Sequence, residues 1–415
     1  MTNIGIVGAG VAGLQLGLYL RQHNIETTLY AERSPEQQFG SRLPALVARV
    51  GHTRERERQL GVNHWDGGNN EFGRLNVYIS GEQPLSFTGH ASSPLIAVDM
   101  RIYLGRLQED FVARGGHVVV GAVDASDLER LSEQHDLLVV AAGRGGLLGV
   151  FPRIDELSPF DRPQRWIATG IFRGIRANPS SASVIFAPGH GEIFEFPIYS
   201  FEPNVTGLGI EAAPGSAFEE AVRMRYEDDP QRFNRTWLDL IREHAPLIYE
   251  RIDPERFELT RPLDLLQGGV TPAVRRGYAQ LGNGRYIMAL GDAHVTNDPI
   301  TGQGANTASR VAFMLGEAIR NNPTFDEGFF QWMEQRVIAY AGQVAKWSNA
   351  MLQPPQDHMI ELMVAAAHNQ AVADAFAGFF EQPVIAWQVM SSAESTAEFL
   401  RQFGWQGMPQ MLQAA

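Results

Sequence analysis

Two glycine-rich turns hold the residues whose types and spacing could do chemistry. The first is Gly8-Ala9-Gly10-Val11-Ala12-Gly13. Gly8 permits a tight strand-to-helix turn, Gly10 lets the backbone approach a pyrophosphate, and Gly13 lets the helix pack close on the strand. The start of the following helix offers unsatisfied N–H groups to that anion. A bare GxGxxG arises by chance, but this one follows an apolar run, opens a helical run, and has the acid Glu32, with Arg33 beside it, after the next strand. That context points to a dinucleotide. Glu32 is the candidate ribose ligand, although Ala31 stands where the acid more often falls, and a solvated surface acid is the alternative.

The second turn runs from Gly291-Asp292 through Pro299 to Gly302, Gly304 and Asn306, between "RYIMALGDA" and "RVAFMLGEAI". Pro299 stiffens the loop, and Gly302 and Gly304 keep side chains clear of whatever lies against it. The helix beyond contributes about half a positive charge at its N-terminus. An ordinary capped turn would also place a residue like Asn306 near a helix start.

The elements that must position these turns follow from the hydrophobic pattern. "NIGIVG" and "ETTLYAER" flank a helix from about Val11 to His23, and "HVVVGAV" and "DLLVVAAG" are further apolar strands. Apolar runs without alternation suit a parallel sheet covered on both faces. From about 165 to 285 the runs are β-type and broken by Pro and Gly, as in an antiparallel sheet. After Pro323 the chain reads as helical, with breaks at Pro354-Pro355 and Pro383. The expected class is α/β: a split Rossmann-like nucleotide-binding domain over 1–164 and 286–323, an inserted antiparallel β-sheet domain over 165–285, and a helical C-terminal layer over 324–415.

The 415 residues carry a net charge of −13 and no cysteine. Such a balance argues against nucleic acid, since no basic stripe could displace phosphate counterions. The absence of cysteine removes disulfides, thiolate nucleophiles and cysteine-held metals, and no metal site is expected. No apolar run has membrane-spanning length, and "MTNIGIVGAG" lacks a basic region ahead of an apolar one, so a cytoplasmic protein is expected.

Gly-Asp, six residues, Pro, then Gly-x-Gly-x-Asn resembles the second flavin fingerprint of FAD monooxygenases of the aromatic-hydroxylase type. The resemblance implies that Asp292 meets ribityl hydroxyls, that Pro299–Gly302 passes over the isoalloxazine, and that the helix near Asn306 faces the ring's O2 edge. In the same class an arginine at the position of Arg101 approaches the FAD phosphates (a surface arginine is the alternative), and Val123 is placed to touch adenine. Single-component members carry Asp-Gly after the strand that reads "DLLVV" here, where this chain has Ala142-Gly143-Arg144. Nor is there a second Gly-rich βαβ unit for NAD(P)H. Reduced FAD is therefore expected from a partner reductase.

Over nearly its whole length the chain resembles the styrene and indole monooxygenases, the two-component FAD-dependent epoxidases. The likeness runs through "IGIVGAGVAGLQLGLYLRQH", "AVDMRIYLG", "FAPGHGEIFE", "LDLLQGGVTPAVR" and "GDAHVTNDPITGQGAN". It implies that Arg42 lies against FAD, that the β-sheet domain roofs the substrate cavity, and that O2 and a small aromatic substrate meet there for epoxidation or sulfoxidation. Matched on the family, the pocket falls on Leu43, Ala45, Val47, Arg49, Val77, Leu95, Pro299 and Thr301. Styrene epoxidases carry Asn, Val and His where this chain has Ala45, Val47 and Arg49, and the indole set is absent as well. Of the roof residues Phe194, Phe196, Ile198 and Tyr199, half must face inward. An inward Arg49 needs an acid such as Glu55 or an anionic substrate group, and the acid is preferred. The rest of "RVGHTRERERQLG" reads as a solvated helix, and His294 as a hydrogen-bonded structural histidine. A homodimer is left open. A single-component NAD(P)H-dependent hydroxylase and a non-catalytic FAD-fold protein are the rival readings.

Overall fold

Strand Asn3–Val7, helix Val11–Gln22 and strand Glu26–Ala31 form a βαβ unit in the computed structural model, which describes residues 2–68, 70–143, 146–178, 180–322 and 324–407. Around that unit lies a six-stranded sheet in the order Tyr278–Gln280, Tyr286–Ala289, Leu137–Val140, Asn3–Val7, Glu26–Ala31, His117–Val120. All pairings are parallel except the first. The central strands are apolar at nearly every position because helices cover both faces, with Ile4, Ile6, Leu14, Phe111, Val139 and Leu315 in one core. The class is the expected α/β one.

A nine-stranded sheet forms the second layer, in the order Glu258–Leu259, Trp166–Arg173, Thr206–Ala212, Gly191–Pro197, Ser181–Ala187, Glu71–Ile79, Leu85–Ala97, Ala48–Arg49, with Leu265–Gly269 also paired to Trp166–Arg173. Two expectations about its extent are corrected. Residues 48–97, grouped with the nucleotide-binding unit in the sequence, supply three of its strands. Conversely Tyr278–Gln280 pairs with the six-stranded sheet although it falls within 165–285. The strands in 71–97 escaped notice because their burial does not alternate cleanly: one stretch faces a cavity and another, with Val77 and Phe87, lies under C-terminal helices.

The helices Phe218–Arg223 and Pro230–His244 cover part of this sheet through Phe172, Phe233 and Trp237. Beyond it run Glu327–Met351, Asp357–His368, Gln370–Gly378, Pro383–Met390 and Ala393–Arg401. Pro383 occupies the first turn of its helix, where its missing N–H costs nothing. Pro323 and the last eight residues of the proposed C-terminal layer lie outside the described residues. No helix among the described residues is long and apolar enough to cross a membrane.

Candidate functional site

The three glycines of the first turn each have a distinct geometry. Gly8 sits at φ +113°, and a Cβ there would fall 2.8 Å from the Ala141 carbonyl carbon and the Ala142 nitrogen. A Cβ on Gly13 would come within 2.0 Å of the Gly8 carbonyl oxygen. Gly10 is different: no heavy atom lies within 4 Å of its added Cβ, so the backbone there borders open space. That space is a cavity of about 780 Å³ walled by Gly8, Ala9, Gly10, Val11 and Ala12, with Glu32, Arg33 and Val123 at the same end. Gly13 is not in the wall and packs helix against strand.

From this turn the cavity passes Asp292 and reaches Pro299, Thr301, Gly302, Gly304 and Asn306. Gly302 adopts the left-handed conformation at φ +62°, and neither it nor Gly304 has an atom within 4 Å of an added Cβ. The helix Gly304–Asn321 therefore begins at the cavity wall with its first glycine bare. Asn306 is buried and bolted in place. Its Nδ2 donates to the Ala48 and Gly302 carbonyls at 3.0 and 2.9 Å. Its Oδ1 accepts from the Val50 N–H at 3.1 Å and the Thr53 hydroxyl at 2.8 Å. Asn306 thus joins the helix start to the segment opposite rather than acting as a simple cap.

Beyond the loop the cavity widens into an apolar chamber. The strip Pro44–Ala48, including Ala45 and Val47, lines one side with Leu95, while Phe194, Phe196, Ile210 and Phe380 line others. Ile198 is packed in a separate core and Tyr199 is turned outward.

Five expected site residues are placed elsewhere, outside the cavity wall. Arg101 is fully buried between Asp99 and Asp264, with Nη1 2.6 Å from Asp264 Oδ1, so its charge is already compensated and it is neither a surface nor a cavity residue. Arg42 points to Glu227 at 2.8 Å and donates to the Leu265 carbonyl at 3.0 Å. Val77 packs under the C-terminal helices, and Leu43 sits in a core cluster with Phe72 and Ile171. Arg49 does turn inward and is paired, but with Glu57 rather than Glu55. Its Nε lies 2.7 Å from Glu57 Oε1, and its guanidinium covers Tyr103 and Trp65 at 4.4 and 5.5 Å. None of its atoms reaches the cavity wall.

The helix Gly51–Gln59 is also not the solvated face expected, since Arg54 and Glu57 are buried and Arg54 pairs with Asp66 and Glu71. His294 is buried behind the cavity, and its Nε2 has no hydrogen-bond partner. Burial, with Arg276 nearby, pushes its pKa down to about 4, so the ring is neutral. Arg144 lies outside the described residues, while Gly143 lies directly against Asp292: a Cβ there would fall 2.8 Å from the Asp292 Cβ.

Sequence reasoning missed three polar residues of the site. Asn297 borders the cavity, and neither its Oδ1 nor its Nδ2 has a protein partner. Asp298, fully buried, accepts from the Ile300 N–H through Oδ1 at 3.1 Å. Burial pushes its pKa up to about 6. Glu211 projects from the strand Thr206–Ala212 into the cavity wall, where burial first, and then Asp298, holds its carboxyl well above the usual range. The signal for Glu211 was an acid inside "VTGLGIEAA", an otherwise apolar strand.

A dinucleotide with a flat redox ring fits this wall: a glycine turn open at Gly10, an acid midway, bare glycines at a helix start, and an unpaired amide at Asn297. The chain shares its fold with the flavin-dependent brominase Bmp2 (17% identity, TM-score 0.60, 97% of this chain and 93% of that one). It also aligns with 2-methyl-3-hydroxypyridine-5-carboxylic acid oxygenase (15%, TM-score 0.60, 94% and 96%). Aklavinone-11 hydroxylase, solved with FAD and aklavinone, aligns at 18% with a TM-score of 0.57, over 84% and 68% of the two chains. The fold is thus the one found in these FAD-dependent hydroxylases and halogenases.

The sequence narrows this further. Residues 143–251 match the family model described as "Styrene monooxygenase A putative substrate binding domain". The chain is 41% identical over 409 residues to styrene monooxygenase StyA of Pseudomonas fluorescens, covering 96% of this chain and 98% of that one. A protein of the same name from Pseudomonas sp. is 42% identical over the same span. The chain belongs to the styrene monooxygenase family, and it is a flavoprotein monooxygenase with FAD as its cofactor.

Proposed function

We propose that this protein is the oxygenase of a two-component system, taking reduced FAD from a separate NAD(P)H-dependent reductase in the cytoplasm. One atom of O2 goes to the C=C bond of a neutral arene such as styrene or indole, or to a thioether sulfur, and the other leaves as water. The observation that carries this reading is the continuity of the cavity, from the glycine turn at Gly10, past Asp292 and Gly302, into the chamber of Ala45, Val47, Leu95, Phe194 and Phe196. A cofactor laid along the first part presents its reactive end to an apolar substrate in the second.

In this proposal the Gly8–Ala12 amides and the first helix hold the pyrophosphate. Glu32 and Val123 flank the adenosine end, and Asp292 binds ribityl hydroxyls. Bound FAD supplies the activation of oxygen. The protein's part is to exclude water with the aromatic roof, orient the arene over Pro299–Thr301, and stabilise negative charge with the helix at Gly304. A neutral substrate is favoured because Arg49 is already paired with Glu57 and no atom of it lines the chamber.

The supply of reduced FAD from outside is supported by Gly143, where a Cβ would fall 2.8 Å from the Asp292 Cβ, and by a sequence that reads as having one Gly-rich βαβ unit. The test is to mix pure protein, FAD and NADH under argon and follow flavin absorbance. Slow reduction matching free FAD is expected, with styrene oxide formed only once photoreduced FAD and O2 are supplied. Rapid reduction by the protein alone would instead identify a single-component hydroxylase.

A further inference from the structure

Three carboxyl groups converge on one guanidinium at the wall of the substrate chamber. Glu192 and Glu211 stand directly opposite each other on neighbouring antiparallel strands. Like charges in that position repel unless one is neutralised. Arg165 grips Glu192 with two bonds, Nε to Oε2 at 2.7 Å and Nη2 to Oε1 at 2.9 Å. Asp298 arrives from the loop before Pro299 and brings its carboxyl beside that of Glu211, where a proton placed between the two would join them.

Among the described residues neither Glu211 nor Asp298 has an arginine or lysine within ion-pair distance, so Arg165 neutralises Glu192 and leaves two carboxyls without a cation. Glu211 Oε2 and Asp298 Oδ2 are both buried and find no N–H or O–H donor elsewhere. Two carboxylates cannot hydrogen-bond each other unless one carries a proton, because both are acceptors. Desolvation acts the same way, since two adjacent buried anions are far costlier than one shared proton.

We propose that the Glu211–Asp298 pair is a proton donor built into the chamber wall, holding one shared proton for the oxygen atom that leaves as water. The chemistry needs such a proton. O2 accepts two electrons from anionic reduced FAD and two from the C=C bond; one oxygen closes the epoxide and the other becomes water. The reduced cofactor contributes one of that water's hydrogens as it returns to oxidised FAD, and the second must come from an acid. Glu211 lines the chamber, and Asp298 is the residue before Pro299, which also lines it. Bulk water re-protonates the pair once product leaves.

The proposal rests on the oxygenation reading, so one readout omits the cofactor. Infrared difference spectra of FAD-free protein should show a protonated-carboxyl carbonyl band that is lost in Glu211→Gln and altered in Asp298→Asn, a change that still allows the bond to Ile300. With styrene, reduced FAD and O2, both variants should bind FAD normally yet release hydrogen peroxide. Epoxide formed per O2 should fall about tenfold or more at neutral pH, and the wild type's decline in that ratio at rising pH should be absent. Failure of the wild type to oxygenate any arene would sink the function, not the shared proton. A wild-type band that survives in both variants, or an unchanged epoxide yield in Glu211→Gln, would overturn the proton donor. If Glu211→Gln does not fold, Asp298→Asn alone decides.

Discussion

Arg49 and Glu57 form an ion pair at 2.7 Å with both side chains almost wholly removed from solvent, one layer behind the strip that lines the chamber. Tyr103 completes it, donating its hydroxyl to Glu57 Oε1 at 2.8 Å while accepting from Gln15 at 2.8 Å. Removing one member of such a pair leaves an uncompensated buried charge, at a cost of about 3–5 kcal/mol. Arg49→Ala should lower stability by about that amount in urea titrations. Selectivity across styrene, indole and carboxylated styrenes should stay as in the wild type. Turnover confined to carboxylated arenes, and abolished in the variant, would make Arg49 a substrate clamp instead.

Gly10 and Gly13 should separate binding from folding. Alanine at Gly10 meets no protein atom and would project its methyl into the cavity, so Gly10→Ala should keep its melting temperature while FAD binding weakens at least about tenfold, roughly 1.4 kcal/mol. Alanine at Gly13 would strike the Gly8 carbonyl, and overpacking of this kind costs about 1–3 kcal/mol. Calorimetry beside a flavin fluorescence titration checks both.

Asp292→Ala should weaken FAD by about 1.5–3 kcal/mol, the usual loss for hydrogen bonds to a charged group. An unchanged dissociation constant would remove Asp292 from the ribityl contact.

Reduced FAD should bind more tightly than oxidised FAD. The helix Gly304–Asn321 begins at the cavity wall, and its N-terminus favours an anion by about 0.3–1 kcal/mol, or up to ~2 when partly buried. Anaerobic titration of both redox forms measures the difference, and equal affinities would mean that the ring's anionic edge lies elsewhere.

Stability should fall on both sides of mildly acidic pH, from different residues. Burial raises Asp298 from 3.8 to about 6, against the pull of the Ile300 N–H and Arg165, so the folded state holds its proton more tightly than the unfolded chain does. That contribution is complete at low pH and lost as pH rises through about 6. His294 is depressed from 6.5 to about 4, so its contribution is present above 6.5 and lost as pH falls toward 4. Asp298→Asn should flatten the alkaline limb of urea stability against pH, and His294→Gln the acid limb.

What the sequence made legible was local. The positive φ of Gly8, the close packing at Gly13 and the bare start of the Gly304 helix each depend on a few neighbouring residues, which the motifs display. Long-range pairing was not legible. For Arg101 the resemblance implies FAD phosphates, with a surface arginine as the alternative, and although Asp99 stands two positions away its second acid, Asp264, lies 163 positions away. For Arg42 the resemblance implies FAD, while its acid Glu227 lies 185 positions away. Strands Glu71–Ile79 and Leu85–Ala97 were hidden because C-terminal helices bury one stretch of each, which erases the two-residue period. Glu211 looked incidental until the fold set it against Asp298.

The four hydrogen bonds of Asn306 bear on how readily this pocket could change its diet. They hold the main chain at Ala48, Val50 and Gly302 and the hydroxyl of Thr53, touching no side chain that faces the substrate. The side chains at positions 45 and 47 are thereby mounted on a rail that the helix end keeps straight. Exchanging them alters the shape offered to an arene while the rail, and the cofactor loop fastened to it, stay where they are. New substrates are thus within reach of single substitutions at Ala45 or Val47, whereas a change at Asn306 would loosen pocket and cofactor loop together.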